Sequence, residues 1–218
     1  MNKFVQIAID GPAAAGKSTI AKIVAQSLGY IYVDTGAMYR AITWAALNSG
    51  INMNDENAIM VLLTKTDIVL EPGGKVLVNG VDVSAQIREP GVTDLVSQVA
   101  TYETIREELK NRQVVLANSA NVIMDGRDIG TNVLPNADFK FFMIADARVR
   151  ALRRHKENLK RGIKSDLDSL EEDIKKRDEM DVNREHAPLK QAKDAILIDT
   201  STLSINEVVD KMVGFVLK

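Results

Sequence analysis

The stretch that decides the fold reads FVQIAIDGPAAAGKST, from Phe4 to Thr19. Its first half is an apolar run typical of a strand buried on both faces, and its second half matches the spacing G-x-x-x-x-G-K-[ST]. In that pattern the glycines let backbone N–H groups curl around a polyphosphate, and the following helix terminus adds a favourable field. Lys17 is expected to bridge the β and γ phosphates, and the Ser18 hydroxyl to ligate Mg²⁺. The predicted nucleotide-binding loop comprises Gly11, Pro12, Ala13, Ala14, Ala15, Gly16, Lys17, Ser18 and Thr19.

The bulk composition narrows the class of protein. The chain has 218 residues, 45% of them hydrophobic and 27% charged, within the ordinary range for one globular domain. A formal net charge of −2 offers no global attraction to nucleic acid or an anionic membrane, so phosphate binding must be local. The lack of cysteine excludes disulfides and cysteine-based zinc sites. Because no cleavable signal or membrane-spanning run is present, we expect a cytoplasmic monomer that binds neither nucleic acid nor membrane.

Short apolar runs alternate with helical patterns along the chain. The strand candidates are residues 4–9, 31–33, 122–124, 139–144 and 195–198, and the helical patterns cover 17–28, 37–47, 102–117, 147–160 and 170–181. A last helix begins with a capping box of Ser204 and Glu207. It carries Ile205, Val208, Val209 and Met212 on one face. This alternation predicts an α/β fold with a five-stranded parallel sheet flanked by helices, of the P-loop NTPase type.

One segment breaks the alternation. Short strand candidates at 67–70, 76–78 and 81–83 are joined by turns that contain Pro72-Gly73-Gly74 and Asn79-Gly80. This pattern predicts a small antiparallel meander. Since helical stretches flank it, we interpret roughly residues 54–98 as an insert on the core rather than as a separate domain.

The segment after the third core strand separates several kinds of P-loop protein. A GTPase should carry D-x-x-G and N-K-x-D elements, and the sequence contains neither. A motor or transport ATPase usually places a water-polarising Glu after its second acidic strand, whereas here residues 125–128 read DGRD. Because arginine stays charged and pairs with phosphate oxygens in a bidentate manner, this segment favours an anionic acceptor over a hydrolytic water.

Three arginines are candidates for holding an acceptor phosphate. Arg40 follows Asp34-Thr35-Gly36 at a strand-to-helix turn, and Arg127 follows the strand-terminal Asp125. Both positions lie at the carboxyl ends of predicted parallel strands, where such sheets bind ligands. Arg184 is the third candidate.

Two sets of charged residues repeat at helical spacing, so each would lie on one helix face. The first set is Arg177, Asp181 and Arg184. The second set belongs to a predicted lid over residues 146–168 and consists of Arg150, Arg154 and Arg161. Either set suits a solvated polar helix, and either suits a clamp over a transferring phosphate. A kinase also needs closure, because water competes with the intended acceptor.

The motifs together resemble those of the bacterial cytidylate kinases over nearly the whole chain. They are IDGP at 9–12, GKST at 16–19, DTGAMYR at 34–40, DGRDIGT at 125–131, RD at 177–178, NR at 183–184, APL at 187–189, DTS at 199–201 and LSI at 203–205. The meander is similar to the enlarged monophosphate-binding insert of that family. The resemblance implies one kinase domain over 1–218 that transfers the γ-phosphoryl group of ATP, with Mg²⁺, to CMP and also to dCMP. Its core would be 1–39, 118–150 and 185–218, its monophosphate-binding region with the insert 40–117, and its lid with the following helix 151–184.

The resemblance also implies roles for single residues. Those implied to contact cytosine are Ser97, Arg106 and Asp128. Those implied to surround the ribose are Thr35, Arg177 and Asp181. The acceptor phosphate would be held by Arg40, Arg127 and Arg184. In the lid, Arg150 would stack on adenine and Arg154 would contact the donor phosphates, and the implied catalytic set is Lys17, Arg127, Arg154 and Arg184.

The chemistry of cytosine supports the base assignment independently. Cytosine presents an amino donor at N4 and acceptors at N3 and O2, so a carboxylate can accept from the first while an arginine donates to the others. Uracil reverses the pattern at N3 and position 4 and would leave buried groups unpaired. The alternatives are a kinase of the same fold that acts on UMP, a sugar or a shikimate-like acid, and a non-catalytic nucleotide-binding regulator.

Overall fold

The central element is a five-stranded sheet in which every neighbouring pair is parallel. The structure is a computed structural model that describes residues 3–160 and 162–217. The strands, in chain order, are β1 (Gln6–Asp10), β2 (Ile31–Asp34), β3 (Ile68–Glu71), β4 (Lys75–Val78), β5 (Val81–Asp82), β6 (Val122–Gly126), β7 (Phe139–Ile144) and β8 (Ile196–Asp199). The large sheet has the order β2-β6-β1-β7-β8, which confirms the predicted parallel sheet.

The register of this sheet brings the predicted ligand-binding residues to one edge. Asp10 at the end of β1 lies beside Gly126 of β6, and Asp34 at the end of β2 lies beside Asp125. All residues of β1 and β6 are buried, as expected for strands covered on both faces. The carboxyl ends of β1, β2 and β6 therefore form the floor of a common site.

Eight α-helices accompany the strands in the described residues. They are α1 (Lys17–Leu28), α2 (Thr35–Asn48), α3 (Glu56–Thr64), α4 (Pro90–Val99), α5 (Glu103–Ala117), α6 (Ala147–Lys160), α7 (Leu167–Asn183) and α8 (Ile205–Val216). The predicted bounds of α1 and α6 are confirmed. Helix α7 begins before the predicted residue 170, because Asp166 caps it by accepting the Ser169 N–H.

The insert contains the predicted antiparallel meander and two helices that were not predicted. Strands β3, β4 and β5 pair in that order, and Asn79 and Gly80, both with positive φ, form the tight turn between the last two. Helices α3 and α4 flank the meander. Their apolar residues pack with those of α2, β4 and α5 into a core separate from the one around the large sheet.

Helices α6 and α7 form a helical hairpin that corresponds to the predicted lid. Near its base, Arg148 of α6 pairs with Glu171 of α7 at 3.1 Å, and Arg150 pairs with Asp178 at 2.6 Å. Arg161, which was predicted to share the basic face of the lid, lies outside the described residues. The helical character of the lid segment is confirmed.

The last helix has the predicted start. Ser204 and Glu207 form the predicted reciprocal capping box, and Val208, Val209 and Met212 are buried. Ile205, on the same helix face, is 50% exposed. Helical side chains lean toward the amino terminus, so a residue in the first turn projects past the start of the helix instead of onto the sheet.

None of the helices within residues 3–160 and 162–217 combines the length and apolar character needed to cross a membrane.

Candidate active site

The loop between β1 and α1 requires glycine at both of its ends. Gly11 has φ +146, and a Cβ there would collide with the backbone carbonyl of Met143 on β7. Gly16 has φ +90 and occupies the cap position of α1. No side chain caps this helix, so the backbone N–H groups of its first turn point toward the space that the loop encloses. That arrangement can bind a polyphosphate.

Lys17 lies inside this loop and is nearly inaccessible to solvent, with 5% exposure. Its Nζ donates a hydrogen bond to the carbonyl of Pro12 at 2.8 Å, so the chain curls around the ammonium group. Burial, followed by the nearby positive charge of Arg127, lowers the pKa of Lys17 to about 7. An anionic ligand in the loop would remove much of that electrostatic cost.

Asp125, at the end of β6, connects the loop to the neighbouring strands. Its two carboxylate oxygens accept hydrogen bonds from the hydroxyls of Ser18 and Tyr32, each at 2.8 Å, and its backbone carbonyl accepts one from Thr35 at 2.7 Å. Burial and then the nearby carboxylate of Asp34 raise the pKa of Asp125. A buried carboxylate with such a neighbour gains from a cation, and Ser18 supplies a second oxygen beside it.

Asp10 joins the donor loop to the segment that carries Arg127. It lies at the end of β1, and its carboxylate accepts the backbone N–H groups of Ile129 and Gly130 at 2.8 and 2.7 Å. These amides belong to a single π-helical turn, residues Ile129–Val133, directly after Asp128. Burial raises the pKa of Asp10 to about 6, although both amide hydrogen bonds favour the carboxylate.

The arginines predicted to hold an acceptor phosphate all form ion pairs with buried or half-buried carboxylates. The pairs are Arg40 with Asp34 at 2.9 Å, Arg127 with Asp181 at 2.7 Å, and Arg184 with Asp128 at 3.0 Å. Two of these carboxylates, Asp181 and Asp128, are the ones implied for ribose and base. The structure therefore places each predicted acceptor arginine in a separate ion pair with a carboxylate.

Arg40 and Arg177 keep unused donors. Within the described residues, the buried Nε atoms of Arg40 and Arg177 have no hydrogen-bond partner. Burial, followed by the charge of Arg127, lowers the pKa of Arg177 to about 10, and the charges of Arg40 and Arg154 act in the same direction. Several cations thus face one another around a space that an anionic ligand would neutralise.

The residues implied for cytosine are brought together in part. Arg106 donates to the Asp128 carboxylate at 2.6 Å and to the carbonyl of Ala100 at 3.1 Å, and its guanidinium lies 5.7 Å from the centre of the Tyr39 ring. Arg106 and Asp128 are both about 95% buried. Ser97 is partly buried on α4, the helix that ends next to Ala100.

The lid arginines differ in their surroundings. Arg150 is buried and donates to the carbonyls of Ala145 and Ala13, so it ties the base of the lid to the nucleotide loop. Its predicted stacking on adenine remains a prediction. Arg154 lines a cavity of about 290 Å³ between the start of α4 and the helical hairpin, together with Arg88 and Lys164.

Several site residues were not assigned a role from the sequence. Asp125 was noted only as the end of a strand, although an acid at the end of a strand beside β1 could have suggested a metal ligand. Arg153 reaches across to donate to the Thr200 carbonyl at 2.5 Å. Tyr32 and Asp10 also had no role, and no local spacing connects them with Asp125 or with the turn after Asp128.

The fold and the site together define a class, the P-loop phosphotransferases. The structure of shikimate kinase from Bacteroides thetaiotaomicron is similar, with a TM-score of 0.50 and 14% identity over 98% of this chain and 99% of that chain. The structure of an uncharacterized protein from Eubacterium ventriosum has a TM-score of 0.55 and 14% identity over 97% of each chain. At these identities the similarity concerns the fold alone.

Comparison of the sequence with known proteins identifies a single family. The family model described as Cytidylate kinase matches residues 7–218. The chain is 52% identical to a cytidylate kinase of Oceanobacillus iheyensis over 100% of this chain and 96% of that protein. It is 53% identical to a cytidylate kinase of Geobacillus kaustophilus over 99% of this chain and 98% of that protein. This chain belongs to the cytidylate kinase family.

Proposed function

We propose that this protein transfers the γ-phosphoryl group of ATP to CMP, giving CDP and ADP, and that it also accepts dCMP. The observation that carries the proposal is a set of buried and half-buried cations near the carboxyl ends of the strands. The pKa values of Lys17 and Arg177 are lowered, and the Nε atoms of Arg40 and Arg177 are buried with no hydrogen-bond partner among the described residues. Donor and acceptor phosphates bound side by side would supply negative charge to these cations.

At the donor end, the backbone amides of the loop and Lys17 would hold the phosphates of ATP. Ser18 and Asp125 fit a magnesium ion, because a hydroxyl and a carboxylate oxygen lie 2.8 Å apart beside the loop. Mg²⁺ usually takes one or two protein oxygens and completes its shell with water and phosphate oxygens. When bound, it would neutralise charge on the donor phosphates.

At the acceptor end, Arg40, Arg127 and Arg184 would hold the CMP phosphate, with Arg177 close by. Each guanidinium has five N–H donors, so it can keep its carboxylate partner and still bind phosphate oxygens. The attacking oxygen of CMP is already anionic near neutral pH, so no general base is required. Catalysis then consists of alignment and charge neutralisation.

The buried pair of Arg106 and Asp128 would recognise cytosine. Asp128 would accept from the N4 amino group, Arg106 would donate to N3 or O2, and Ser97 would approach from α4. Around the sugar, the Thr35 hydroxyl already donates to the Asp125 carbonyl, which leaves Arg177 and Asp181 as its main polar neighbours. Thr35 could therefore only accept a hydrogen bond from a sugar hydroxyl.

We propose three parts that move relative to one another. The core would be residues 1–39, 118–150 and 185–218, the monophosphate-binding region with the insert 40–117, and the lid with its following helix 151–184. Closure would bring Arg154 toward the donor phosphates and exclude water. We further propose that the protein acts as a cytoplasmic monomer.

A substrate panel tests the function. ADP release would be measured with CMP, dCMP, UMP, AMP and shikimate as acceptors, and we expect the highest kcat/KM with CMP and measurable turnover with dCMP. Equal turnover of UMP and CMP would refute the base assignment, and tight ATP binding without any CDP formation would refute phosphoryl transfer.

A pair of arginine variants tests the site. Arg177→Met should lower kcat/KM for CMP by about a hundredfold or more, because it removes a buried cation from the phosphate path. The matched control is Arg148→Met on the exposed side of the lid, where deletion of a surface ion pair should change kcat/KM less than about twofold. Equal effects of the two substitutions would contradict the proposed site.

A further inference from the structure

The carboxylate of Asp128 receives a third donor besides its two arginines. Arg106 donates to Oδ2 at 2.6 Å and Arg184 to Oδ1 at 3.0 Å, while the amide Nδ2 of Asn132 donates to Oδ2 at 2.9 Å. Asp128 is only 5% exposed, so these groups define nearly all of its polar surroundings. Asn132 lies in the π-helical turn that begins directly after Asp128.

Lys110 determines which way the Asn132 amide faces. Its Nζ donates to Oδ1 of Asn132 at 2.8 Å. Because the amide oxygen accepts from the ammonium group, the NH₂ group must face the carboxylate. In the reverse orientation the NH₂ group would meet the ammonium group and the amide oxygen would meet the carboxylate. Lys110 lies one helical turn after Arg106 on α5, so both cations come from one face of that helix.

We propose that Asn132, oriented by Lys110, is a positioning residue that sets the base specificity of Asp128. A carboxylate offers about four acceptor positions, and three are occupied here, which leaves about one for a donor of the ligand. An exocyclic amino group fits that position, whereas a carbonyl there would meet an anionic oxygen. This inference rests on the proposed function, in which Asp128 contacts the base.

The two arginines alone would not hold the carboxylate in this way. Both also bind other groups, since Arg106 donates to the Ala100 carbonyl and Arg184 to the Ala187 carbonyl. Without Asn132, the Oδ2 atom would gain a free acceptor position, and the carboxylate could rotate or bind water there. Either change would let a base with a carbonyl at position 4 enter at lower cost, so discrimination against UMP would decrease.

Steady-state kinetics with CMP and UMP test the proposal in three variants. Asn132→Leu should lower the ratio of kcat/KM for CMP to that for UMP by about tenfold, through a lower KM for UMP together with a higher KM for CMP, because the carboxylate is then free to rotate or to bind water. Lys110→Met should lower the ratio by about threefold. The double variant should match Asn132→Leu alone, because Lys110 acts through the amide.

The near-isosteric Asn132→Asp separates positioning from packing. It preserves volume and can pair with Lys110, but it presents a carboxylate to Asp128 and should lower the ratio at least as much as Asn132→Leu. Thr131→Val, at an exposed position of the same turn, is the control and should keep the wild-type ratio.

Two results would overturn the proposal: an unchanged ratio in Asn132→Leu, or a wild-type ratio in Asn132→Asp. If the turn fails to fold in the Asn132 variants, Lys110→Met remains as a test, and an unchanged ratio in that variant would also overturn the proposal. Failure of the proposed function would be seen separately, in the wild-type protein, which would then not turn over CMP or would not prefer CMP to UMP.

Discussion

Binding of ATP should be coupled to protonation of Lys17. Burial and the charge of Arg127 lower the pKa of Lys17 to about 7, so the ammonium group is partly neutral under ordinary assay conditions. Phosphate oxygens placed beside Nζ favour the charged form and should return the pKa toward its ordinary range. Nucleotide binding should therefore take up a proton from the buffer.

The size of this uptake follows from the pKa. With a pKa of about 7 in the free protein, about half of Lys17 is charged at pH 7 and about one-tenth at pH 8. If the bound form is fully charged, about 0.5 proton is taken up per nucleotide at pH 7 and about 0.9 at pH 8. Above pH 7, the apparent affinity should then fall by up to about tenfold per pH unit.

Isothermal titration calorimetry in buffers of different ionisation enthalpy measures the uptake directly. A non-hydrolysable ATP analogue would be titrated at pH 8, where a terminal phosphate with a pKa of about 6 is already ionised and adds little. Lys17→Met should reduce the uptake to nearly zero, and the exposed Lys211→Met should leave it unchanged. Equal uptake in wild type and Lys17→Met would refute the reasoning. If Lys17→Met binds the nucleotide too weakly to measure, the wild-type protein alone provides the test. A proton uptake that fails to rise between pH 7 and pH 8 would then refute the reasoning.

Three further predictions concern stability. Ile198 is fully buried in β8, so Ile198→Ala should lower the free energy of unfolding measured in urea by about 2–5 kcal/mol. Leu197 is half-exposed in the same strand, so Leu197→Ala should lower it clearly less, and equal losses would contradict the described packing. Ser204→Ala removes the capping box of α8 and should cost about 1 kcal/mol in thermal unfolding with kcat unchanged, so an unchanged melting temperature would argue against the cap. The folded-state pKa of Asp10 is raised to about 6, so the wild type should lose stability relative to Asp10→Asn as the pH rises from about 4 to 6, by up to about 3 kcal/mol. A difference in unfolding free energy that stays constant over this range would exclude the raised pKa.

The core was predictable because its signals are local. Apolar runs with glycine-rich turns identified the parallel strands, and the bounds of β7, α1 and α6 coincide with the prediction. Helices α3 and α4 were missed for physical reasons. Residues 56–64 are apolar on nearly every face after the first turn, which hides helical periodicity. Helix α4 begins with Pro90-Gly91, a dipeptide more typical of a turn, although proline suits the first helical position.

The pairings within the site were not predictable in the same way. The sequence indicated which arginines and carboxylates collect near the carboxyl ends of the parallel strands, because strand ends and helix faces follow from local patterns. It did not indicate that Arg127 pairs with Asp181, 54 residues away, or that Asp128 is shared by Arg106 and Arg184. Such pairs depend on how α5 and α7 pack over the sheet edge, and many alternative partners have the same charge.

These pairs also determine how closure can be linked to binding. Asp10 fixes the turn after Asp128 to the end of β1, so the nucleotide loop and the segment that carries Arg127 form one rigid floor. The partners of that segment come from other parts of the chain: Asp181 from α7 and Arg106 from α5. The contacts that join the floor to the two outer regions are thus made by the residues proposed to bind CMP. If a bound phosphate or base competes with these contacts in one arrangement and adds to them in another, the proposed closure would be linked to substrate binding through that difference in affinity.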